Sequence, residues 1–176
     1  RFAFDNDPVS VRTYAANVGP HVSGMDAASV SGDELLERAG LTRGQLDLFS
    51  GGPPCQGFSK QRRGAAALDD PRNGLVREFA RLVEETCPRA FLFENVQIFG
   101  QKRGRVLIDE LSERLSGYDV HDFFVCSSDH GIAQSRGRFL MIGLRSDLGA
   151  PPPLLPTSEN RVTVRDAIGD LPAPPD

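Results

Sequence analysis

The chain has 176 residues, 39% hydrophobic and 25% charged, which suits one globular unit and excludes a disordered or fibrous chain. No apolar run approaches the roughly 20 residues that span a bilayer, and residues 1–5 carry no signal-peptide pattern, so the reading is a soluble cytoplasmic protein. A net charge of −4 leaves any phosphate contacts to local basic clusters, and the three cysteines have neither disulfide nor metal-site spacing.

Residues 2–4 read as the end of a strand and 7–17 as a helix, with Val11, Tyr14 and Val18 at helical spacing, Asp7 as N-cap and Pro8 at the first helical position. Residues 31–39 read as a second helix, opened by Ser31 with Glu34 three residues on, the pattern of a capping box. A short strand at 46–49 runs into Gly51, Gly52, Pro53 and Pro54, and a polar loop follows as far as Asn73. Leu75, Phe79, Leu82 and Val83 mark one face of a helix at 74–86, before an unbroken apolar strand at 90–93. An amphipathic helix follows at 105–116. Residues 118–125 and 139–144 read as strands with little helix between them, which predicts an antiparallel pair. The alternation predicts an α/β fold of Rossmann-like type, its sheet mostly parallel with one late antiparallel strand and helices on both faces. Residues 1–148 form this domain, without the first strand and glycine-rich turn that normally open such a sheet. Residues 149–176, with Pro151, Pro152, Pro153 and Pro156, read as an extended linker leading out of it, with a short helix or turn at 163–171.

Chemistry concentrates in three segments. Gly51 to Ser59 reads Gly-Gly-Pro-Pro-Cys-Gln-Gly-Phe-Ser directly after a strand, so Cys55 lies where ligands bind in an open α/β sheet. Taken singly, a cysteine in a turn is more often an inert thiol. Glu94 ends the apolar run Phe91-Leu92-Phe93, and parallel strand ends would bring it to one cleft with Cys55; burial against Phe91 and Phe93 would raise its carboxyl pKa. Its plainer role is a cap on the next element. Gln134-Ser135-Arg136-Gly137-Arg138 opens the later strand with arginines at alternate positions, facing one side, or else a surface pair on an edge. Lys60, Arg62 and Arg63, and Lys102, Arg103 and Arg105, add basic clusters whose ordinary role is solvated charge.

In this order and spacing, Gly-Pro-Pro-Cys-Gln-Gly-Phe-Ser, Glu-Asn-Val and Gln-x-Arg-x-Arg resemble the DNA cytosine-5 methyltransferases over nearly the whole chain, including Asp69-Asp70-Pro71-Arg72-Asn73 and Thr163-Val164-Arg165-Asp166-Ala167. The resemblance implies a methyltransferase sheet using S-adenosylmethionine on double-stranded DNA, with Cys55 as nucleophile at carbon 6 of cytosine, Glu94 acting at ring nitrogen 3 and Arg138 contacting a flipped-out base. Gln56, Ser59 and Arg136 match positions that support the cysteine loop and neighbouring phosphates. Asp5 matches the carboxylate on the cofactor ribose, Asp26 the one near the adenine amino group, and Leu75 an apolar cofactor contact. Asn6 replaces the apolar or aromatic residue usual beside adenine, Met25 a glycine, His130 a tyrosine and Ala133 a proline. The resemblance further implies a monomer, a cognate restriction endonuclease as partner, and a catalytic core that binds cofactor weakly and is inactive without the flanking parts of such an enzyme. Methylation of cytosine in RNA, and a non-catalytic remnant that binds nucleic acid or a partner, are the alternatives. A nicotinamide dehydrogenase lacks its glycine fingerprint here.

Overall fold

The computed structural model of the protein describes residues 1–54, 74–101 and 104–172. Strand β1 (Ala3–Asp5) leads to helix α1 (Pro8–Asn17), which Asp7 caps by accepting from the N–H groups of Val9 and Ser10 at 3.2 and 3.0 Å. Val11 and Tyr14 are half-buried, whereas Val18, predicted on the same face, is the exposed residue that ends the helix. Strand β2 (Val22–Gly24) has no signature in the hydrophobic pattern. It is defined by parallel pairing with β1, Ala3 opposite Val22 and Asp5 opposite Gly24.

Helix α2 (Gly32–Ala39) shows half of the predicted capping box. Ser31 accepts from the Glu34 N–H at 3.2 Å, but the Glu34 carboxylate turns forward to Arg38 at 2.9 Å. An arginine four residues on lies on the same helical face and competes with the return bond to the cap. The helix ends at Gly40, whose φ of 69° is left-handed and costs glycine nothing.

Strand β3 (Leu48–Gly51) begins later than predicted and runs on into the glycine pair. Helix α3 (Gly74–Thr86), strand β4 (Ala90–Val96), helix α4 (Arg105–Arg114) and strands β5 (Tyr118–Cys126) and β6 (Gly137–Arg145) follow. Helix α5 (Val164–Ile168) has the full reciprocal box: Asp166 N–H donates to Thr163 at 3.2 Å and Thr163 N–H to Asp166 at 2.8 Å.

The strands form a two-stranded sheet of β1 and β2 and a four-stranded sheet in the order β3-β4-β6-β5. β3 and β4 are parallel, Phe49 opposite Phe91, while β6 runs antiparallel to both β4 and β5. The predicted β5–β6 pair is present, and β6 also fills the centre of the sheet. Its Phe139, Met141 and Gly143 alternate as buried positions, as the pleat dictates for a strand with one face on the core.

In β4, Phe91, Phe93 and Asn95 point into the core and Leu92 and Glu94 to the other face. Val76, Phe79, Ala80 and Val83 of α3, Leu107, Ile108 and Leu111 of α4, and Phe99 close over that face with Phe139 and Met141. Each fully buried phenylalanine contributes about 2 kcal/mol relative to an exposed position. Both helices cover the same face. The opposite face, with Leu92, Leu140 and Ile142, is only half-buried among the described residues, so the predicted two-sided helical cover is not what they display. A smaller cluster of Val30, Leu35 and Leu82, with Phe2, Phe4, Met25 and Phe49 against it, joins β1, β2 and α2 to α3 and β3. Among the described residues no helix is long and apolar enough to cross a membrane.

Candidate active site

The carboxyl ends of β3 and β4 lie side by side because the two strands are parallel, and what leaves β3 is held against what ends β4. A Cβ placed on Gly51 would sit 3.1 Å from the Phe79 ring, and one on Gly52 only 3.1 Å from Oε2 of Glu94. The glycine pair is therefore what lets this backbone lie flush on the strand end. One residue further, the Pro53 carbonyl accepts a hydrogen bond from Nδ2 of Asn95 at 3.0 Å. Asn95 is buried on the phenylalanine face, and its Oδ1 accepts from the Val96 N–H at 2.9 Å, so both ends of its amide are satisfied. Consecutive residues of β4 thus serve two faces: Glu94 faces the turn from one side and Asn95 holds it from the other.

Because β6 runs antiparallel to β4, its amino end meets the carboxyl end of β4, which puts Arg138 opposite Val96. Arg138 and Glu94 are then diagonal neighbours on one face, and Nε of Arg138 lies 2.5 Å from Oε1 of Glu94. Nη1 of Arg138 donates to the Gly137 carbonyl at 2.7 Å, and its side chain is 18% exposed against 43% for Glu94. Two sequence expectations change here. Glu94 does not sit against Phe91 and Phe93, since alternation along the strand turns those rings to the other face. Arg136 does not share a strand face with Arg138, because β6 begins at Gly137; Arg136 is exposed in the preceding loop, its carbonyl accepting from the Ser127 N–H at 3.1 Å.

Cys55, Gln56 and Ser59 lie outside the described residues, as do Lys60, Arg62, Arg63, Lys102, Arg103 and the stretch 69–73. What is described is the turn that delivers Cys55, up to Pro54. Two residues of this site have no role in the sequence reading, Asn95 and Gln97. Asn95 is legible in retrospect: a polar side chain in register with Phe91 and Phe93 faces the core and has to find a partner there. Gln97 lies so close over Gly137 that a Cβ there would collide with it, which joins the end of β4 to the arginine segment.

Of the expected cofactor residues, Asp5, Asn6 and Asp26 lie at the ends of β1 and β2. Asp5 ends β1, its carbonyl accepting from the Met25 N–H at 3.1 Å and its Oδ1 from the Asp7 N–H at 2.8 Å. Asp26 follows β2, and its Oδ1 accepts from the Ala28 N–H at 3.0 Å. Both carboxylates are exposed, as is Asn6 between the first strand and its helix. A carboxylate has about four acceptor sites, so each keeps free lone pairs for hydroxyl or amino donors, the chemistry a nucleoside offers. Half-buried Leu75, in the first turn of α3, can supply apolar contact. The donor set fits an adenosyl group. His130 and Ala133 lie apart from these groups; His130 Nδ1 is 2.9 Å from the Pro156 carbonyl and, with the Ser158 N–H donating to the Asp129 carbonyl at 2.8 Å, holds the proline-rich segment.

A family model for C-5 cytosine-specific DNA methylases matches residues 1–174. The chain is 39% identical over 97% of its length to the Type II methyltransferase M.XorII of Xanthomonas oryzae, of which it covers 40%, and 40% identical over 94% to M1.HphI of Haemophilus parahaemolyticus, of which it covers 45%. It thus spans less than half the length of these relatives. A crystal structure of a prophage-encoded DNA modification methyltransferase of E. coli superposes with a TM-score of 0.81 at 30% identity, covering 98% of this chain and 48% of that one. The Dnmt2 methyltransferase of S. pombe, at 18% identity and a TM-score of 0.61, shares the fold. With its sheet order, its paired Glu94 and Arg138 and its Gly-Pro-Pro turn in place, the chain belongs to the family of C-5 cytosine-specific DNA methylases.

Proposed function

We propose that this chain carries the catalytic core of a DNA cytosine-5 methyltransferase in which Cys55 adds to carbon 6 of the target cytosine. One observation supports this above the others: residues 52 and 53, just ahead of Cys55 in sequence, pack on Glu94 and are tied to Asn95 at the carboxyl end of β4. Carbon 5 of cytosine is a weak nucleophile. Attack by the Cys55 thiolate forms a sulfur–carbon bond at carbon 6 and moves the ring's electrons toward carbon 5 and nitrogen 3. Glu94 hydrogen-bonds or protonates nitrogen 3, which takes up the charge that develops there. Arg138 holds the Glu94 carboxyl in place and has further donors for the carbonyl oxygen of the base. S-adenosylmethionine, when bound, supplies the methyl group. Loss of the carbon 5 proton and release of Cys55 then restore the aromatic ring.

Asp5 and Asp26 would hold the ribose hydroxyls and the adenine amino group, with Asn6 and Leu75 alongside. Gln56, Ser59 and Arg136 would meet the DNA near the cysteine loop, and base flipping opens the ring face to attack. Residues 1–148 form the catalytic part and 149–176 lead toward the part that reads the DNA sequence. A cytoplasmic site of action and a cognate restriction endonuclease as partner belong to this proposal, the latter supported by the Type II designation of the relatives. The full-length protein, given S-adenosylmethionine and duplex DNA carrying 5-fluorocytosine, is expected to form an adduct that survives denaturation, because fluorine cannot leave carbon 5 as a proton does. Cys55→Ser is expected to form none, and an adduct in that variant sinks the assignment.

A further inference from the structure

Arg81, on the side of α3 that faces the β1–β2 pair, makes more bonds than a surface arginine needs. Its Nε pairs with Glu78 at 2.6 Å, and Nη1 donates to both oxygens of Glu85 at 2.9 Å. Nη2 reaches across to another element and donates to the carbonyls of Ala27 at 2.8 Å and Val30 at 2.9 Å. Glu85 extends the same tie, accepting from the Gly32 N–H at 2.6 Å. The segment gripped in this way begins at Asp26. Its other side is closed by Asp26 itself, whose carbonyl accepts from the N–H groups of Ser29 and Val30 at 3.0 and 3.1 Å and whose side chain takes the Ala28 N–H. The turn is therefore locked from within by Asp26 and from without by one guanidinium.

We propose that Arg81 is a positioning residue for the cofactor: its fork fixes the 26–30 turn so that the Asp26 carboxylate stands ready for the adenine end of S-adenosylmethionine. The inference rests on the reading of Asp26 given above. Lysine is the informative substitution. An ammonium has three donors on one nitrogen, so while it pairs with Glu78 and Glu85 it cannot also serve the Ala27 and Val30 carbonyls, which Nη2 holds as Nε and Nη1 bind the glutamates. Arg81→Lys therefore separates a share in stability from a share in positioning, and Arg81→Met removes both.

The test is calorimetric binding of S-adenosylhomocysteine to the full-length protein, with steady-state kinetics alongside. Both variants are expected to weaken binding about tenfold, a free-energy change of the size of one hydrogen-bonded contact. The KM for DNA and the kcat at saturating cofactor are expected to stay at their original values, and Arg81→Lys is expected to retain most of the thermal stability that Arg81→Met loses. Wild-type affinity in Arg81→Lys, with Asp26→Ala weakened, overturns the coupling. Wild-type affinity in Asp26→Ala overturns instead the role given to Asp26.

Discussion

Asn95 and Glu94 are neighbours in sequence and opposites in function, because a strand sends successive side chains to opposite faces. Asn95 donates into the core side of the turn after β3, and nothing else of similar length could replace an amide that donates to Pro53 and accepts from Val96 together. Asn95→Ala leaves the Pro53 carbonyl unpaired and frees the turn, and a displacement on the order of 1 Å at a reacting group costs about 100-fold in rate. The expected outcome is a fall in kcat of about 10- to 100-fold with the KM for DNA little changed. Asn95→Asp is the sharper probe. It keeps the volume but sets a carboxylate oxygen against a carbonyl, so single-turnover rates at least as low as in Asn95→Ala identify the donor, whereas wild-type rates would reduce Asn95 to a space-filler.

Among the elements, legibility follows how local the cause is. Helix α1 is readable from Asp7 and Pro8, and α3 from the repeat of Phe79, Leu82 and Val83, because caps and periodicity are written within a few residues. β2 is not, since only pairing with β1 makes three residues a strand. The place of β6 between β4 and β5 is likewise a long-range fact, although its antiparallel partnership with β5 could be read from how little helix lies between them. At the site, Cys55, Glu94 and Arg138 are legible as motifs. The contact of Arg138 with Glu94 depends on register, and the duty of Asn95 on which face the core takes. The half-formed box of α2 has a measurable counterpart. Ser31 alone satisfies the Glu34 N–H, so Ser31→Ala is expected to cost about 1 kcal/mol in denaturant unfolding. Glu34→Gln, which spares that bond, is expected to lose only the small contribution of its exposed pair with Arg38.

Across the whole molecule, carboxylates of α3 and α4 link the helices to each other and to the start of α2. Pairing with Arg77 holds the Glu110 carboxyl below its usual range. Burial opposes the charge of Glu85, but the Gly32 N–H and Arg81 more than offset it, and its pKa is lowered as well. In the unfolded chain both bind protons at higher pH than in the folded one, so their contribution is complete above the ordinary glutamate value of 4.5 and drains away as pH falls below it. Urea midpoints are therefore expected to drop as pH falls through and below 4.5. Glu110→Gln is expected to flatten that slope, and an unchanged slope would show that the Arg77 pair contributes nothing. The two hydrophobic clusters are unequal: the larger lies under β4 and β6, while β1 and β2 rest on a few side chains of the smaller. Breathing should consequently begin at β1 and β2 and leave β4 and β6, with Glu94 and Arg138, rigid. A ligand bridging Asp5 and Asp26 would then stiffen the half that most needs it, making occupancy and order one event.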